Sequence, residues 1–251
     1  DVTIRALLMD ADGVVQYPRS GWLERFARLG GPGFAREAFR REMGTLTGQV
    51  DLRDELAEMI AAGGHSATPD DFIALWCDIE VDEFMLRLVD RVRAAGVVTA
   101  LATNQQSYRG THMLANLPHA DHFDHQFHSF QVGLAKPDPA FFGHIIEVLG
   151  VEPNEAVFVD DMEINVRGAR EAGLHGVYFS NADTYSRAQQ TAALGRVAID
   201  QGQTDMDGLQ KLVDDLADEQ NSMQRKQTEA TDLISTLTEK QAEYSTLEKV
   251  Y

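Results

Sequence analysis

The sequence predicts an α/β protein: a parallel sheet flanked by helices, with a helical module inserted after the first strand and a long helix at the C-terminus. Three observations predict it. Short apolar runs alternate with stretches of helical period, the pattern of a parallel sheet. The segment from 17 to 83 carries helical signals and no convincing strand. Beyond Gly208 there is neither Gly nor Pro, and a heptad repeat takes over.

The apolar runs are "IRALLM" (4–9), "VVTALA" (97–102), "AVFV" (156–159) and "GVYF" (176–179). Their hydrophobicity is continuous rather than alternating, which predicts strands covered on both faces. "FMLRLVDRVRAAG" (84–96) and "PAFFGHIIEVLG" (139–150) read as the helices between them. Within the insertion, "LRDELAEMIAAGG" and "TPDDFIALWCDIE" read as helices. The second opens with Thr68 as N-cap, Pro69 at the first helical position and Asp71 three residues after the cap. At the C-terminus, Leu209, Leu216, Met223, Ala230, Leu237, Tyr244 and Tyr251 recur every seventh residue. Leu212, Leu233 and Leu247 hold the companion position, which Glu219, Lys226 and Lys240 interrupt. A helix over 207–251 with this register predicts a coiled-coil partner, a homo-oligomer or a folded-back hairpin, whether the segment is native or appended.

Bulk properties narrow the function. The 251 residues are 43% hydrophobic and 25% charged, enough for a sizeable core in one or two domains. A formal charge of −18 argues against nucleic acid, whose phosphates are neutralised by Lys and Arg, and gives no electrostatic hold on an anionic membrane. No apolar stretch approaches the roughly 20 residues of a membrane span. Cys77 is the only cysteine, so an intrachain disulfide framework is excluded and a reducing compartment fits. The chain enters its first strand directly from Asp1 without a leader pattern, so a trimmed N-terminus and a cytoplasmic setting are expected.

Chemistry is concentrated where the apolar runs end. "IRALLM" is followed by Asp10, Ala11, Asp12 and Gly13; "VVTALA" by Thr103 and Asn104; "AVFV" by Asp160 and Asp161, with Asn165 further on. In a parallel sheet these C-terminal ends share one edge, where ligands bind. Lys136, in the Pro-containing turn "GLAKPDP", is available to the same crevice. Like charges raise one another's pKa, and a cation between them relieves the repulsion. Hard oxygen ligands select Mg²⁺, which keeps water and substrate phosphate as further ligands. Asp10 then suits a carboxylate nucleophile that forms an aspartyl-phosphate. Asp12, two residues on, suits the general acid and base. Thr103, the nearby backbone N–H groups and Lys136 suit the phosphoryl oxygens.

"DADGV", "LATN", Lys136 in "GLAKPDP" and "VFVDDMEIN" together resemble, in order and spacing, the four motifs of the haloacid dehalogenase (HAD) superfamily, over residues 4 to about 190. The resemblance implies a Rossmann-like core over 1–16 and 84–198, a helical C1 cap over 17–83 and a separate tail over 199–251. It is most similar to small-molecule and sugar-phosphate phosphatases and to the N-terminal phosphatase domain of soluble epoxide hydrolases. It implies Mg²⁺ held by the Asp10 carboxylate, the Asp12 backbone carbonyl and Asp161. Asp160 would be a partner of Lys136 or itself a ligand. True dehalogenases of the superfamily lack an acid at the position of Asp12, because a halide needs no proton to leave; Asp12 therefore favours a phosphate ester. The expected function is a Mg²⁺-dependent phosphatase of a small phosphorylated metabolite. A phosphomutase of the same family, or an interaction protein assembled through the C-terminal helix, are the alternatives.

Other residues invite roles that simpler accounts cover. His119, His122, His125 and His128 recur every three residues, but Pro118 and a strand near 127–130 favour a polar loop and strand edge over a zinc site. Tyr17, Trp22, Arg40, Arg41 and Trp76 are candidates for lining a substrate pocket. Packing within the insertion explains the two tryptophans equally simply, and a solvated helix face explains the arginine pair. Asn165 is placed to bond a metal ligand, a water or local backbone.

Overall fold

The structure, a computed structural model, describes residues 3–31 and 33–179; the helix and heptad expected over 207–251 lie outside them. Strand β1 (Ala6–Met9) leads to β2 (Gln16–Pro18), then to helices α1 (Trp22–Gly30), α2 (Phe34–Glu42), α3 (Leu52–Gly63) and α4 (Pro69–Trp76). β3 (Ile79–Val81), α5 (Glu83–Ala94), β4 (Val98–Thr103), α6 (Ser107–Asn116), α7 (His119–His122), β5 (His125–His128) and α8 (Ser129–Val132) follow. The chain continues through α9 (Pro139–Leu149), β6 (Ala156–Asp160), α10 (Glu163–Glu171) and β7 (His175–Tyr178). Among the described residues no helix is long and apolar enough to cross a membrane.

Five strands form one sheet in the order β5-β4-β1-β6-β7, and every neighbouring pair is parallel. β1 sits at the centre with Met9 opposite Leu101 of β4 and Val159 of β6. Its four residues are all buried, as are all five of β6. That accounts for the unbroken apolar runs: helices cover both faces, so neither side of the strand carries polar residues. One face packs on α9 through Phe141, Phe142, Ile145 and Ile146, which meet Leu8, Ala100 and Phe158. Because β1 is flanked by β4 and β6, the residues that leave these three strands at their C-terminal ends emerge side by side.

The helices between β2 and β3 have a core of their own, built on rings. Phe34 stacks on Phe72 with centroids 4.4 Å apart, and Phe26 meets Trp76 edge-on at 4.8 Å. Such pairs contribute roughly 0.5–1.5 kcal/mol each beyond their buried area. The capping box at α4 is present as expected, with Thr68 and Asp71 each accepting from the other's backbone N–H. The absence of strands expected for this segment is corrected by β2 and β3, which pair antiparallel with Tyr17 opposite Glu80. Each is three residues long, too short to show a period, and the partners are some sixty residues apart in sequence.

In the histidine series His125 and His128 lie on β5, the edge strand of the sheet, as expected, but the rest differs from the expected polar loop, with His119 and His122 on α7. His125 is exposed, but His119 and His128 have no accessible surface. His119 Nε2 donates to Gln16 Oε1 at 2.8 Å, while Nδ1 of both rings lacks a partner. Burial pushes both imidazoles down to about 4, so both are neutral in the folded protein. An unfolded histidine takes up its proton near pH 6.5, so each ring contributes stability above that pH which is lost as pH falls towards 4. By pH 5 the loss is on the order of 2 kcal/mol per histidine. The difference in urea-unfolding free energy between pH 7 and pH 5 is therefore expected to shrink by about that amount in His128→Gln. An identical pH difference in variant and wild type would show that His128 titrates normally.

Candidate active site

The loop after β1 continues the strand direction for one residue, with Asp10 N–H bonded to the Val159 carbonyl at 2.9 Å. This fixes the Asp10 side chain at the sheet edge, where it is 7% exposed. Its Oδ1 accepts from Ala11 N–H and from Lys136 Nζ, both at 2.7 Å. Both contacts fall on Oδ1, so Oδ2 is the oxygen they leave unengaged. Lys136 Nζ bridges to Asp160 Oδ2, also at 2.7 Å, and is itself buried.

Asp160, the last residue of β6, has no accessible surface and is surrounded by donors. Beside Lys136 it accepts from Met162 N–H at 2.7 Å and from Asn165 Nδ2 at 3.1 Å on both oxygens. Asn165 thus bonds a carboxylate rather than local backbone. Asp161, the next residue, is half-buried and passes beside Gly13, whose φ is +80°. A Cβ at Gly13 would meet Asp161 Oδ2 at 2.0 Å, so only glycine fits both the turn and the carboxylate.

One carboxylate oxygen from each of Asp10, Asp160 and Asp161 lies within 4.8 Å of the others. With all three ionised and Lys136 the ammonium that touches Asp10 and Asp160, negative charge is in excess. Burial is the main cause that raises the Asp10 carboxyl; Lys136 counteracts it, and Asp160 and Asp12 push it higher. Burial and then Asp160 raise Asp161 to about 6. Burial disfavours the Lys136 ammonium, but Asp10 and Asp160 outweigh it and hold its pKa above the ordinary value. A buried cluster of hard, mutually repelling oxygens fits a divalent cation such as Mg²⁺.

Asp12 is held differently. Arg109, from the first turn of α6, forms a bidentate pair with it: Nη2 to Oδ1 at 2.7 Å and Nη1 to Oδ2. Gln16 and Gln105 add donors at 3.0 and 2.7 Å. Burial pushes the Asp12 carboxyl upward, but the Arg109 charge and these hydrogen bonds carry it below the ordinary carboxylate value. Arg109 is anchored in turn by Nε to the Trp76 carbonyl at 2.7 Å and Nη1 to Gln105 Oε1 at 2.9 Å. Arg109, Gln105 and Gln16 are absent from the residues singled out in the sequence. No local signal marks them: Gln105 lies in the loop before α6, Arg109 in its first turn, and Gln16 at the start of β2.

Thr103 and Asn104 arrive at the same edge, though not as two anion-facing side chains. Thr103 is fully buried and its hydroxyl accepts from Gln105 Nε2 at 2.9 Å. Asn104 clamps the Lys136 backbone, its Nδ2 donating to the carbonyl at 2.8 Å and its Oδ1 accepting from the N–H at 2.9 Å. What Asn104 can turn towards an anion is main chain.

A cleft of about 740 Å³ opens over this edge, with Asp10, Asp12, Lys136 and Asp161 in its floor. Tyr17, Trp22 and Trp76 line it, and both tryptophans also belong to the core of the inserted helices. Arg40 and Arg41 do not line it; they pair with Glu37, and Arg41 also with Glu55 and Glu58.

A family model described as haloacid dehalogenase-like hydrolase matches residues 4–173. Bifunctional epoxide hydrolase 2 of Sus scrofa is 26% identical over 74% of this chain, and the match spans 38% of that protein's length. The phosphorylated carbohydrates phosphatase of Thermotoga maritima is 24% identical over 70% of this chain and 84% of that protein. A HAD family enzyme from Bacteroides thetaiotaomicron, solved in complex with magnesium and inorganic phosphate, superposes with a TM-score of 0.63. It is 23% identical and the alignment covers 73% of this chain and 98% of that one.

Arg109→Met would strand the Asp12 carboxylate and the Trp76 carbonyl. Breaking a buried ion pair costs about 3–5 kcal/mol, and because 37% of the Asp12 side chain is in water the expected loss is about 2–3 kcal/mol in urea unfolding. The double variant Asp12→Asn/Arg109→Met is expected to recover part of it. A single variant as stable as wild type would mean that the pair contributes nothing.

Proposed function

The chain belongs to the haloacid dehalogenase-like hydrolase family, and on that footing we propose that it is a Mg²⁺-dependent phosphatase of small phosphate monoesters. One observation carries the reading: the Asp10, Asp160 and Asp161 carboxylates converge within 4.8 Å beside Lys136. Asp10 and Asp161, with the Asp12 backbone carbonyl, would hold the cation. Asp160 serves better as the anchor of Lys136, because both of its oxygens already accept hydrogen bonds. When bound, Mg²⁺ supplies the positive charge that lets an anionic phosphoryl group approach a carboxylate.

The remaining chemistry belongs to the chain. Asp10 Oδ2 attacks phosphorus, the bond to the ester oxygen breaks, and an aspartyl-phosphate forms. Lys136 steadies the phosphoryl oxygens while its second contact, to Asp160, keeps it in place. A proton that enters with the monoanionic ester passes through Asp12 to the departing oxygen, and Asp12, ionised again, takes one from the water that attacks phosphorus and frees Asp10. Arg109 holds Asp12 ionised between these transfers, which favours its task as base. The helices over 17–83 act as a cap over the leaving group. A cytoplasmic setting is compatible with the lone Cys77.

With Mg²⁺ and a phosphate monoester, Asp10→Asn is expected to lower phosphate release by roughly 10³-fold or more. Chelation is expected to abolish it and added Mg²⁺ to restore it. Asp161→Asn is expected to raise the Mg²⁺ concentration needed for half-maximal rate. Equal rates for wild type and Asp10→Asn would end the proposal.

A further inference from the structure

The cleft above the carboxylates is apolar on the side away from them. Trp22, Phe39, Met43 and Trp76 face it from the inserted helices, and Met162 and Ile164 from the start of α10. Met43 is 68% exposed, Met162 55% and Ile164 45%, so hydrocarbon stands in water around the same opening. The polar side chains nearby already have partners: Arg109 has Asp12, Trp76 and Gln105, Gln105 has Asp12 and Thr103, Asn104 has Lys136, Asn165 has Asp160, and the Tyr17 hydroxyl donates to the Gly13 carbonyl. The ionisable group that the inserted helices add to the wall is Glu42. It is an acceptor when ionised, burial raises it to about 7, and Trp76 already hydrogen-bonds it.

A polyhydroxylated leaving group would have to exchange its water for this wall, leaving several hydroxyls without partners, which is unfavourable for each one. A hydrocarbon leaving group would instead remove apolar surface from water on both sides. The wall is continuous with the carboxylate floor, so a phosphate seated there delivers its alcohol to the apolar side. We infer that the substrate is a phosphate monoester of a predominantly hydrocarbon alcohol, aromatic or chain-like, and not a sugar phosphate. The inference rests on the phosphatase reading for its orientation, with phosphate at Asp10 and the alcohol at the aromatic wall.

Two measurements test it on the full chain. The first is phosphate release with Mg²⁺ from n-alkyl monophosphates, ethyl to octyl, beside glucose 6-phosphate. kcat/KM is expected to rise up to about fourfold per buried methylene, the equivalent of ~0.8 kcal/mol. Glucose 6-phosphate is expected to fall at least about tenfold below hexyl phosphate. Met43→Gln, at an exposed position, is expected to flatten the alkyl slope. A flat series in wild type, or glucose 6-phosphate matching hexyl phosphate, overturns the inference and leaves the phosphatase reading standing. No phosphate from any ester overturns both.

The second measurement needs no turnover. The chain has two tryptophans and both line the cleft, so emission reports its occupancy directly. Octylphosphonate is expected to shift that emission with a Kd at least about tenfold below that of ethylphosphonate. Equal affinities, or no shift with either, overturn the inference.

Discussion

Lys136 and the two carboxylates it bridges constrain the rest of the structure. An ammonium with almost no exposed surface is tolerable only if its charge is matched at close range, and Asp10 and Asp160 supply the match from two adjacent strands. That requirement ties the loop after β1 to the end of β6 and draws the turn between α8 and α9 across the sheet edge. The neighbours serve the same arrangement. Asn104 grips the Lys136 backbone through both halves of its amide. Gly168 lets α10 close on the next residue, since a Cβ there would meet the Pro137 carbonyl oxygen at 2.1 Å. Asn165 completes the ring around Asp160. The site is therefore a consequence of the β4-β1-β6 order, and a different order would separate the groups that make Lys136 stable.

The aspartates of the first loop are separated by one residue but occupy opposite electrostatic situations. Asp10 faces like charges and shares one ammonium with Asp160. Asp12 faces a guanidinium that meets it with two nitrogens. Along extended backbone residues two apart share a face, so the two aspartates diverge because β1 has ended at Met9 and the chain turns, with Gly13 at φ +80°. A cation bound beside Asp10 would lower its raised carboxyl and leave it ionised, while Arg109 already leaves Asp12 ionised and able to accept a proton.

What was legible in the sequence follows from how local each signal is. β1, β4 and β6 are buried on both faces, so their residues read as unbroken apolar runs, and the acids at their ends stand out against them. The capping box at Thr68 is complete within four residues, and it is present as expected. β2 and β3 were not legible, because a three-residue strand has no period and its partner is distant. Arg109 was hidden for a related reason: on a helix its residue type suggests a solvated face, and only the fold reveals that Asp12 is waiting for it. His119 and His128 misled in the reverse sense, since a polar residue type hid rings that are fully buried. The tandem acids Asp160 and Asp161 look equivalent in sequence. They differ because one ends a strand among donors and the other turns towards Gly13.

The charged floor and the apolar wall depend on each other. Water in the cleft would screen the Asp10–Lys136–Asp160 system and hydrate any anion brought to it, weakening each interaction several-fold relative to a drier site. The inserted helices bring mainly rings and the Met43 thioether to the opening, with Glu42 already hydrogen-bonded by Trp76, so a ligand that fills the space displaces that water without demanding new polar partners. The same residues therefore do two things: they accept a hydrocarbon group, and by accepting it they lower the polarity around the carboxylates. A hydroxyl-rich ligand would satisfy neither condition, because it would carry water in with it. Selectivity for the alcohol and strength of the electrostatics at phosphorus thus have a common physical origin, namely the exclusion of water by the side of the cleft that carries no catalytic group.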